Sequence, residues 1–118
     1  MPAASLDLFI EQGATYRRKL SVSSGTPAAP LNLTGYTIRM QVRPNVRSAE
    51  VLLALNNSNG RITVNAAAGE FTLALSAAET AALSFNDGVY DIELQSPSGD
   101  VIRLVQGLVK VSPEVTRD

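Results

Sequence analysis

Apolar and polar residues alternate most regularly in two stretches of the chain. Every second residue is apolar in 36–43 (YTIRMQVR), and the same period of two recurs in 88–94 (GVYDIEL). This spacing puts the apolar side chains on one face of a strand and the polar ones on the other. The turn-forming segment 96–100 (SPSGD) separates 88–94 from a second apolar run, 101–111 (VIRLVQGLVKV). We therefore predict a β-hairpin over 88–111 at the centre of a sheet.

The remaining chain divides into further short segments with turn residues between them. Strands are predicted at 6–10, 15–22, 36–43, 51–55, 61–65 and 70–75. The pair Asn59-Gly60 favours a tight hairpin between the strands on either side of it. One short helix is predicted to begin at Ser76, because Ser76 and Glu79 have the spacing of a capping box. Seven to nine short strands with turns between them are typical of an all-β sandwich or barrel.

The strand predicted at 15–22 (TYRRKLSV) carries an unusual cluster of charge. Tyr16 and Leu20 define the inward face of this strand, and the period of two places Arg18 on the same inward face. A long arginine can carry its charged head to water from such a position near the rim, so we predict an edge strand or a strand near the rim of the sandwich. An edge strand invites strand addition by a partner.

The length of 118 residues fits one domain, with the ends 1–5 and 112–118 expected to be flexible or docked onto a partner. Residues 1–61 carry seven basic and three acidic side chains, whereas residues 62–118 carry three and eight. Such an asymmetry can steer association, but it disappears if strands from the two halves interleave in space. Interleaving is the favoured interpretation, because sandwich folds mix strands from both halves of the chain.

The residue types available exclude most catalytic chemistry. Histidine and cysteine are absent, which excludes a triad with histidine, a thiol nucleophile, a disulfide and a thiolate metal site. Asp91 and Glu93 share a strand face, but the regular alternation of this strand favours the solvated face of an amphipathic strand over a catalytic carboxylate pair. The glycines form no phosphate-binding loop. We therefore predict no enzyme activity, no cofactor, no metal and no small-molecule substrate.

Nucleic-acid and membrane partners are not expected either. The net charge is −1, and Arg17-Arg18-Lys19 is shorter than the usual nucleic-acid-binding basic run. No run approaches the ~20 apolar residues of a membrane span, and the N-terminus lacks the pattern of a secretory signal. The surfaces left for function are strand edges, exposed apolar residues and the termini.

Several phrases of the sequence occur in an order that resembles a group of small virion proteins of tailed bacteriophages. They are 11–15 (EQGAT), 31–35 (LNLTG) leading into 36–43, 60–64 (GRITV), 69–75 with 76–83, 88–94, and 104–111 followed by 114–117 (EVTR). The order is similar to that in the N-terminal domain of phage baseplate upper proteins, which is an immunoglobulin-like β-sandwich that attaches receptor-binding proteins to the tail. This chain differs in carrying no stalk or receptor-binding half, so a trimeric fibre base does not follow from the resemblance.

The resemblance implies an immunoglobulin-like antiparallel β-sandwich of about seven to nine strands with one short helix, acting as a virion structural protein. We expect a tail, baseplate or fibre-attachment adaptor that contacts other virion proteins, made in the bacterial cytoplasm and present in multiple copies or as a homo-oligomer in the particle. Alternatives are a capsid decoration (cement) protein, a carbohydrate-binding module and an inhibitor of a host enzyme. The residues predicted to contact partners are Phe9, Arg17, Arg18, Lys19, Arg39, Arg43, Val115 and Arg117.

Overall fold

A computed structural model describes residues 3–117 of the chain. Eight of its strands are four residues or longer, in agreement with the predicted number. The elements in chain order are β1 (Ala4–Ser5), β2 (Leu8–Glu11), β3 (Tyr16–Ser21), β4 (Ser23–Ser24), β5 (Ala29–Pro30), β6 (Thr37–Arg43), β7 (Leu53–Asn56), β8 (Ile62–Asn65), a 3-10 turn (Ala66–Ala68), β9 (Glu70–Leu75), α1 (Ala77–Ala81), β10 (Asp87–Gln95) and β11 (Val101–Ser112).

The strands form two principal sheets that enclose one core. The larger sheet has the order β1-β11-β10-β6-β7, with β2 also paired to β11, and the smaller has the order β3-β9-β8. The order β11-β10-β6-β7 matches strands G, F, C and C′ of an immunoglobulin-like sandwich, and β3-β9-β8 matches strands B, E and D. The predicted immunoglobulin-like β-sandwich is confirmed. The pairings of β1 and β2 with β11 are parallel, and the other pairings are antiparallel.

The predicted hairpin lies at the centre of the larger sheet. Strand β10 is hydrogen-bonded to β11 on one side and to β6 on the other. The inward side chains of β10 (Tyr90, Ile92 and Leu94) are buried, and they meet the inward side chains of β9 across the core. The alternation read from the sequence therefore gives the correct buried face for both β6 and β10.

The Asn59-Gly60 turn connects the two sheets, so the hairpin predicted there is wrong. Strand β7 pairs with β6 in the larger sheet, whereas β8 pairs with β9 in the smaller one. The turn itself forms, and Asn56 and Asn59 side chains accept hydrogen bonds from its backbone amides. Leu55 of β7 and Ile62 of β8 are both buried. These strands cover the same core from opposite sides, which a hairpin within one sheet could not do.

The predicted capping box is present at the start of α1. The Ser76 hydroxyl accepts a hydrogen bond from the Glu79 amide at 3.1 Å, and the Glu79 carboxylate accepts one from the Ser76 amide at 2.8 Å. Buried Thr80 accepts a hydrogen bond from Gly13 N–H and donates one to the Ala14 carbonyl, both at 2.9 Å. The helix thus holds the turn between β2 and β3 at one end of the sandwich.

The charge asymmetry of the sequence is reduced by strand interleaving. Basic side chains of the N-terminal half pair with acidic side chains of the C-terminal half. The three pairs are Arg39–Glu93 at 2.8 Å, Arg61–Glu79 at 2.7 Å and Lys19–Glu70 at 3.7 Å. The interpretation that the two halves mix in space is therefore correct.

The N-terminal segment runs along β11, where Gly107 allows a close backbone approach. A Cβ atom on Gly107 would overlap the Leu6 carbonyl oxygen and lie 2.7 Å from its carbonyl carbon. The Leu6 amide donates to the Gln106 carbonyl at 2.9 Å, and the buried Tyr90 hydroxyl donates to the Leu6 carbonyl at 2.6 Å. Glycine inside a strand often marks such an approach. These contacts set the position of β2, the strand that follows.

The predicted flexible or docked ends lie partly within the paired strands. Ala4 and Ser5 pair with β11, and Ser112, the last residue of β11, pairs with Glu11. In the segment that follows, the Glu114 amide donates to the Gln12 side chain at 2.8 Å. Residues 1, 2 and 118 lie outside the described residues. Docking of either end onto a partner stays a prediction.

Candidate protein-docking edge

Two unpaired strand edges lie next to each other at one side of the sandwich. Within residues 3–117, β2 pairs only with β11 and β3 pairs only with β9. The turn held by α1 joins these two strands, which belong to different sheets. An unpaired edge presents backbone N–H and C=O groups to which an extended segment of another chain can hydrogen-bond. We call β2, β3 and the groove between them the β2–β3 edge.

Three of the predicted contact residues line the β2–β3 edge together. Phe9 of β2 and Arg17 and Arg18 of β3 border an open groove of about 410 Å³. Phe9 is 67% exposed, although its neighbours Leu8 and Ile10 are buried. Exposed aromatic and arginine side chains are the residue types that contribute most to protein–protein binding. The groove therefore has the composition of a contact surface for another protein.

The position of Arg18 agrees with the prediction that 15–22 forms an edge strand. It lies opposite Leu73 in the register of β3 and β9, so its side chain belongs to the inward phase of the smaller sheet. Leu73 is fully buried, whereas Arg18 is exposed. Strand β3 is the terminal strand of its sheet, and the arginine reaches water past the open side. An inward-phase charge on an edge strand discourages uncontrolled edge-to-edge pairing.

The cations of β3 make few ion pairs, although Asp7 and Glu11 line the same groove. Within residues 3–117, the side chains of Arg17 and Arg18 make no ion pair and no hydrogen bond within the chain. Lys19 reaches Glu70 only at 3.7 Å, and its side chain is 63% exposed. Exposed pairs of this kind contribute about 0–1 kcal/mol to stability. The three cations therefore remain available to a partner.

Tyr16 lines this groove, and the buried Tyr90 lies near it. Burial raises the pKa of Tyr90 to about 12, with smaller contributions from Tyr16 and Asp7, while the Arg18 charge acts in the opposite direction. Burial also raises the pKa of Tyr16, and Arg18 again opposes the shift. Both phenols thus stay protonated at neutral pH. This protonation keeps the Tyr90 hydroxyl a donor to the Leu6 carbonyl and holds β1 and β2 in place.

Arg39 and Arg43 lie elsewhere, on the outer face of the larger sheet. Arg39 is paired with Glu93, and Arg43 donates to the Ser48 carbonyl at 2.7 Å and to the Gln41 side chain at 2.8 Å. This face forms an open concavity of about 740 Å³, in which Arg103 also approaches Asp91 at 3.4 Å. The structure therefore does not bring these two arginines to the β2–β3 edge. Arg39 is paired with a carboxylate, whereas Arg43 donates only to neutral oxygens.

The other predicted contact residues lie in the C-terminal segment. Val115 is 89% exposed, and the Arg117 guanidinium donates to the Glu114 carbonyl at 2.6 Å. Their segment is tied to the turn between β2 and β3 through the Gln12 side chain. These two residues thus flank the end of the β2–β3 edge without lining its groove.

Sequence reasoning missed the residues that hold the edge in place. Gly107 admits the N-terminal segment, and Thr80 fixes the turn before β3. A glycine inside the apolar run 101–111 is a signal for close backbone approach, and it was available in the sequence. Nothing in the local sequence marks Thr80, because both of its long-range partners lie more than sixty residues away.

Among residues 3–117, no cluster of three potential ligands is arranged to hold a metal ion. The same residues include no helix with the length and apolarity needed to cross a bilayer. Neither protein-family models nor curated proteins match this sequence.

Proposed function

We propose that this chain is a non-enzymatic attachment module of a bacteriophage virion, placed on the tail side at a baseplate or fibre-attachment point. The observation that carries the proposal is the β2–β3 edge. There a strand edge that is unpaired within residues 3–117, an exposed phenylalanine and two arginines that make no ion pair among those residues meet on one side of an immunoglobulin-like sandwich. The ordered phrases shared with baseplate upper proteins supply the link to the phage tail.

A role in attachment agrees with the physical character of this edge. Strand addition joins backbone groups in a regular ladder, and it needs no deep pocket in the receiving protein. Phe9 offers an apolar anchor beside that ladder, and Arg17 and Arg18 offer charges that select the partner. The absence of histidine and cysteine from the sequence supports a binding role over a catalytic one.

Particle composition tests the proposal. Purified particles of a phage whose genome encodes this chain are digested, and the chain is quantified by mass spectrometry against the major capsid protein. We expect from a few to a few dozen copies per particle. A copy number close to that of the capsid subunit would instead identify a head decoration protein. Complete absence from particles would refute a virion role.

A complementation assay tests the β2–β3 edge in the particle. Phages lacking the gene are supplied with wild-type protein, with the double variant Arg17→Glu/Arg18→Glu, or with Arg47→Glu. Arg47 is a matched control, because it is exposed and its side chain makes no ion pair or hydrogen bond within residues 3–117. We expect the double variant to be depleted from particles and Arg47→Glu to be incorporated normally. Equal incorporation of both would contradict attachment through this edge.

A further inference from the structure

We infer that the free edge of β3 receives an extended segment of a different protein, with an apolar residue, three acidic residues and a second apolar residue in succession. The inference rests on the proposed attachment function and specifies the chemistry of the partner. It follows from the order of side chains along β3 and from the lack of consecutive acidic residues in this chain.

The two faces of β3 present different requirements to an added strand. Tyr16, Arg18 and Leu20 share the inward phase, since their partners on β9 are the buried Leu75, Leu73 and Phe71. Arg17 and Lys19 lie on the outer face. Residues directly opposite each other on neighbouring strands have Cβ atoms roughly 4.5–5.5 Å apart, close enough for charge pairing.

The residue types of the added strand follow from placing a complementary side chain opposite each residue of β3. Apolar residues fit opposite the half-buried Tyr16 and Leu20, where they extend the edge of the core. Acidic residues fit opposite Arg17, Arg18 and Lys19. The pattern is symmetric about Arg18, so it is the same for a parallel and an antiparallel partner.

A second copy of this chain does not satisfy the pattern. No two acidic residues are adjacent anywhere in the sequence, so no segment of it supplies three in succession. Antiparallel self-pairing centred on Arg18 would place Arg18 opposite Arg18 and Arg17 opposite Lys19. Like charges directly opposite each other destabilise a strand pair. The edge is therefore built against self-association and for a heterologous acidic strand.

A nucleic acid is the other polyanion that the basic side chains could attract. It would compensate the charges of β3 but would leave its backbone N–H and C=O groups without strand partners. A test must therefore separate charge attraction from strand addition. Methylating every second backbone nitrogen of a peptide separates the two, because successive N–H groups of an extended peptide point to opposite edges of the strand. Only the N–H groups on one edge can bond to β3.

The probe is the fluorescein-labelled peptide acetyl-TVEEEVT-amide, and binding to the full chain is measured by fluorescence anisotropy. Two further peptides carry N-methyl groups on the odd or on the even residues. Strand addition predicts that one methylated peptide loses binding and the other keeps it. Loss of binding by both peptides, or retention by both, would overturn the inference. So would equally tight binding, at the same edge, of a single-stranded oligonucleotide of similar charge.

Charge variants test the assignment of the edge. Each reversed charge should weaken peptide binding by roughly 2- to 30-fold, since it replaces an attractive cross-strand pair by a repulsive one. We expect a loss of at least about fourfold for Arg17→Glu/Arg18→Glu and less than about twofold for Arg47→Glu. The triple variant that also carries Lys19→Glu should instead bind acetyl-TVKKKVT-amide. Equal losses for the double variant and the Arg47 control would contradict the inference.

These results separate the inference from the proposed function. Peptide binding without any copies of the chain in particles would refute the virion role alone. A chain present in particles that binds neither the peptide nor its charge-swapped counterpart would refute the acidic-strand partner alone. Thermal melting of each variant confirms that it is folded, which is expected because Arg17, Arg18 and Lys19 are exposed.

Discussion

Gly107 controls how closely the N-terminal segment can approach β11, and replacing it with alanine tests this control. The added Cβ would overlap the carbonyl oxygen of Leu6 and lie 2.7 Å from the carbonyl carbon. Both atoms belong to the backbone, so they cannot rotate away as a side chain would. We therefore expect Gly107→Ala to push residues 4–7 off β11.

The expected loss of stability follows from two hydrogen bonds made by Leu6. The buried Tyr90 hydroxyl donates to its carbonyl at 2.6 Å, and its amide donates to the Gln106 carbonyl at 2.9 Å. A buried polar group left without a partner costs about 1–3 kcal/mol, and a backbone hydrogen bond contributes about 1 kcal/mol. The free energy of unfolding should thus fall by about 2–4 kcal/mol.

Urea unfolding followed by far-ultraviolet circular dichroism measures this loss. The urea midpoint should fall with little change in the slope, which reports the surface exposed on unfolding. Gln106→Ala is the matched control, because it alters an exposed side chain of the neighbouring residue and should change stability by less than about 0.5 kcal/mol.

A double-mutant cycle with Tyr90→Phe tests the mechanism. Both substitutions act through the Leu6 carbonyl. The sum of the stability losses in the two single variants should therefore exceed the loss in the double variant by about 0.5 kcal/mol or more. Two results would refute the reasoning: a cost below about 0.5 kcal/mol for Gly107→Ala, or costs that simply add. Either would mean that the close approach to Leu6 does not hold the N-terminal segment.

Three further predictions concern the core, the helix and the alkaline limit. Ile92→Ala should reduce the free energy of unfolding by about 2–5 kcal/mol, because truncating this fully buried side chain leaves a cavity between the sheets. An unchanged urea midpoint would contradict the inward orientation of Ile92 in β10. Ser76→Ala should cost about 1 kcal/mol in thermal or urea unfolding through loss of the helix cap, whereas Ser98→Ala, in an exposed turn, should cost little. Burial raises the pKa of Tyr90 from 10.0 to about 12, so the stabilisation from its neutral form is complete below pH 10 and is lost as the pH rises toward 12. Stability measured over this range should fall less steeply for Tyr90→Phe than for the wild type; identical slopes would show that Tyr90 does not titrate in this way.

The candidate site could be predicted only in part. The inward phase of Arg18 is a local property of 15–22, and it was sufficient to identify β3 as an edge strand. The meeting of Phe9 with Arg17 and Arg18 was not predictable, because it depends on how two strands of different sheets are placed. The surroundings of Arg39 were not predictable either, because its position on a polar strand face does not reveal that Glu93 pairs with it from the neighbouring strand. Partner contact by Arg39 and Arg43 stays a prediction.

Local sequence patterns were sufficient to locate the eight longer strands, the buried faces of β6 and β10, and the turn after β7. Period-two alternation in β6 and β10, the capping box at Ser76 and the turn after β7 all depend on residues close together in the chain. The short strands β1, β4 and β5, and the sheet that each strand joins, depend on tertiary contacts. The tertiary structure carried the chain across the Asn59-Gly60 turn from one sheet to the other, and it laid the N-terminal strands parallel to β11. Strand pairing is a contact between distant residues, selected by the burial of one shared core and by backbone fit at positions such as Gly107. Local patterns specify a strand, but its neighbours are selected by the whole fold.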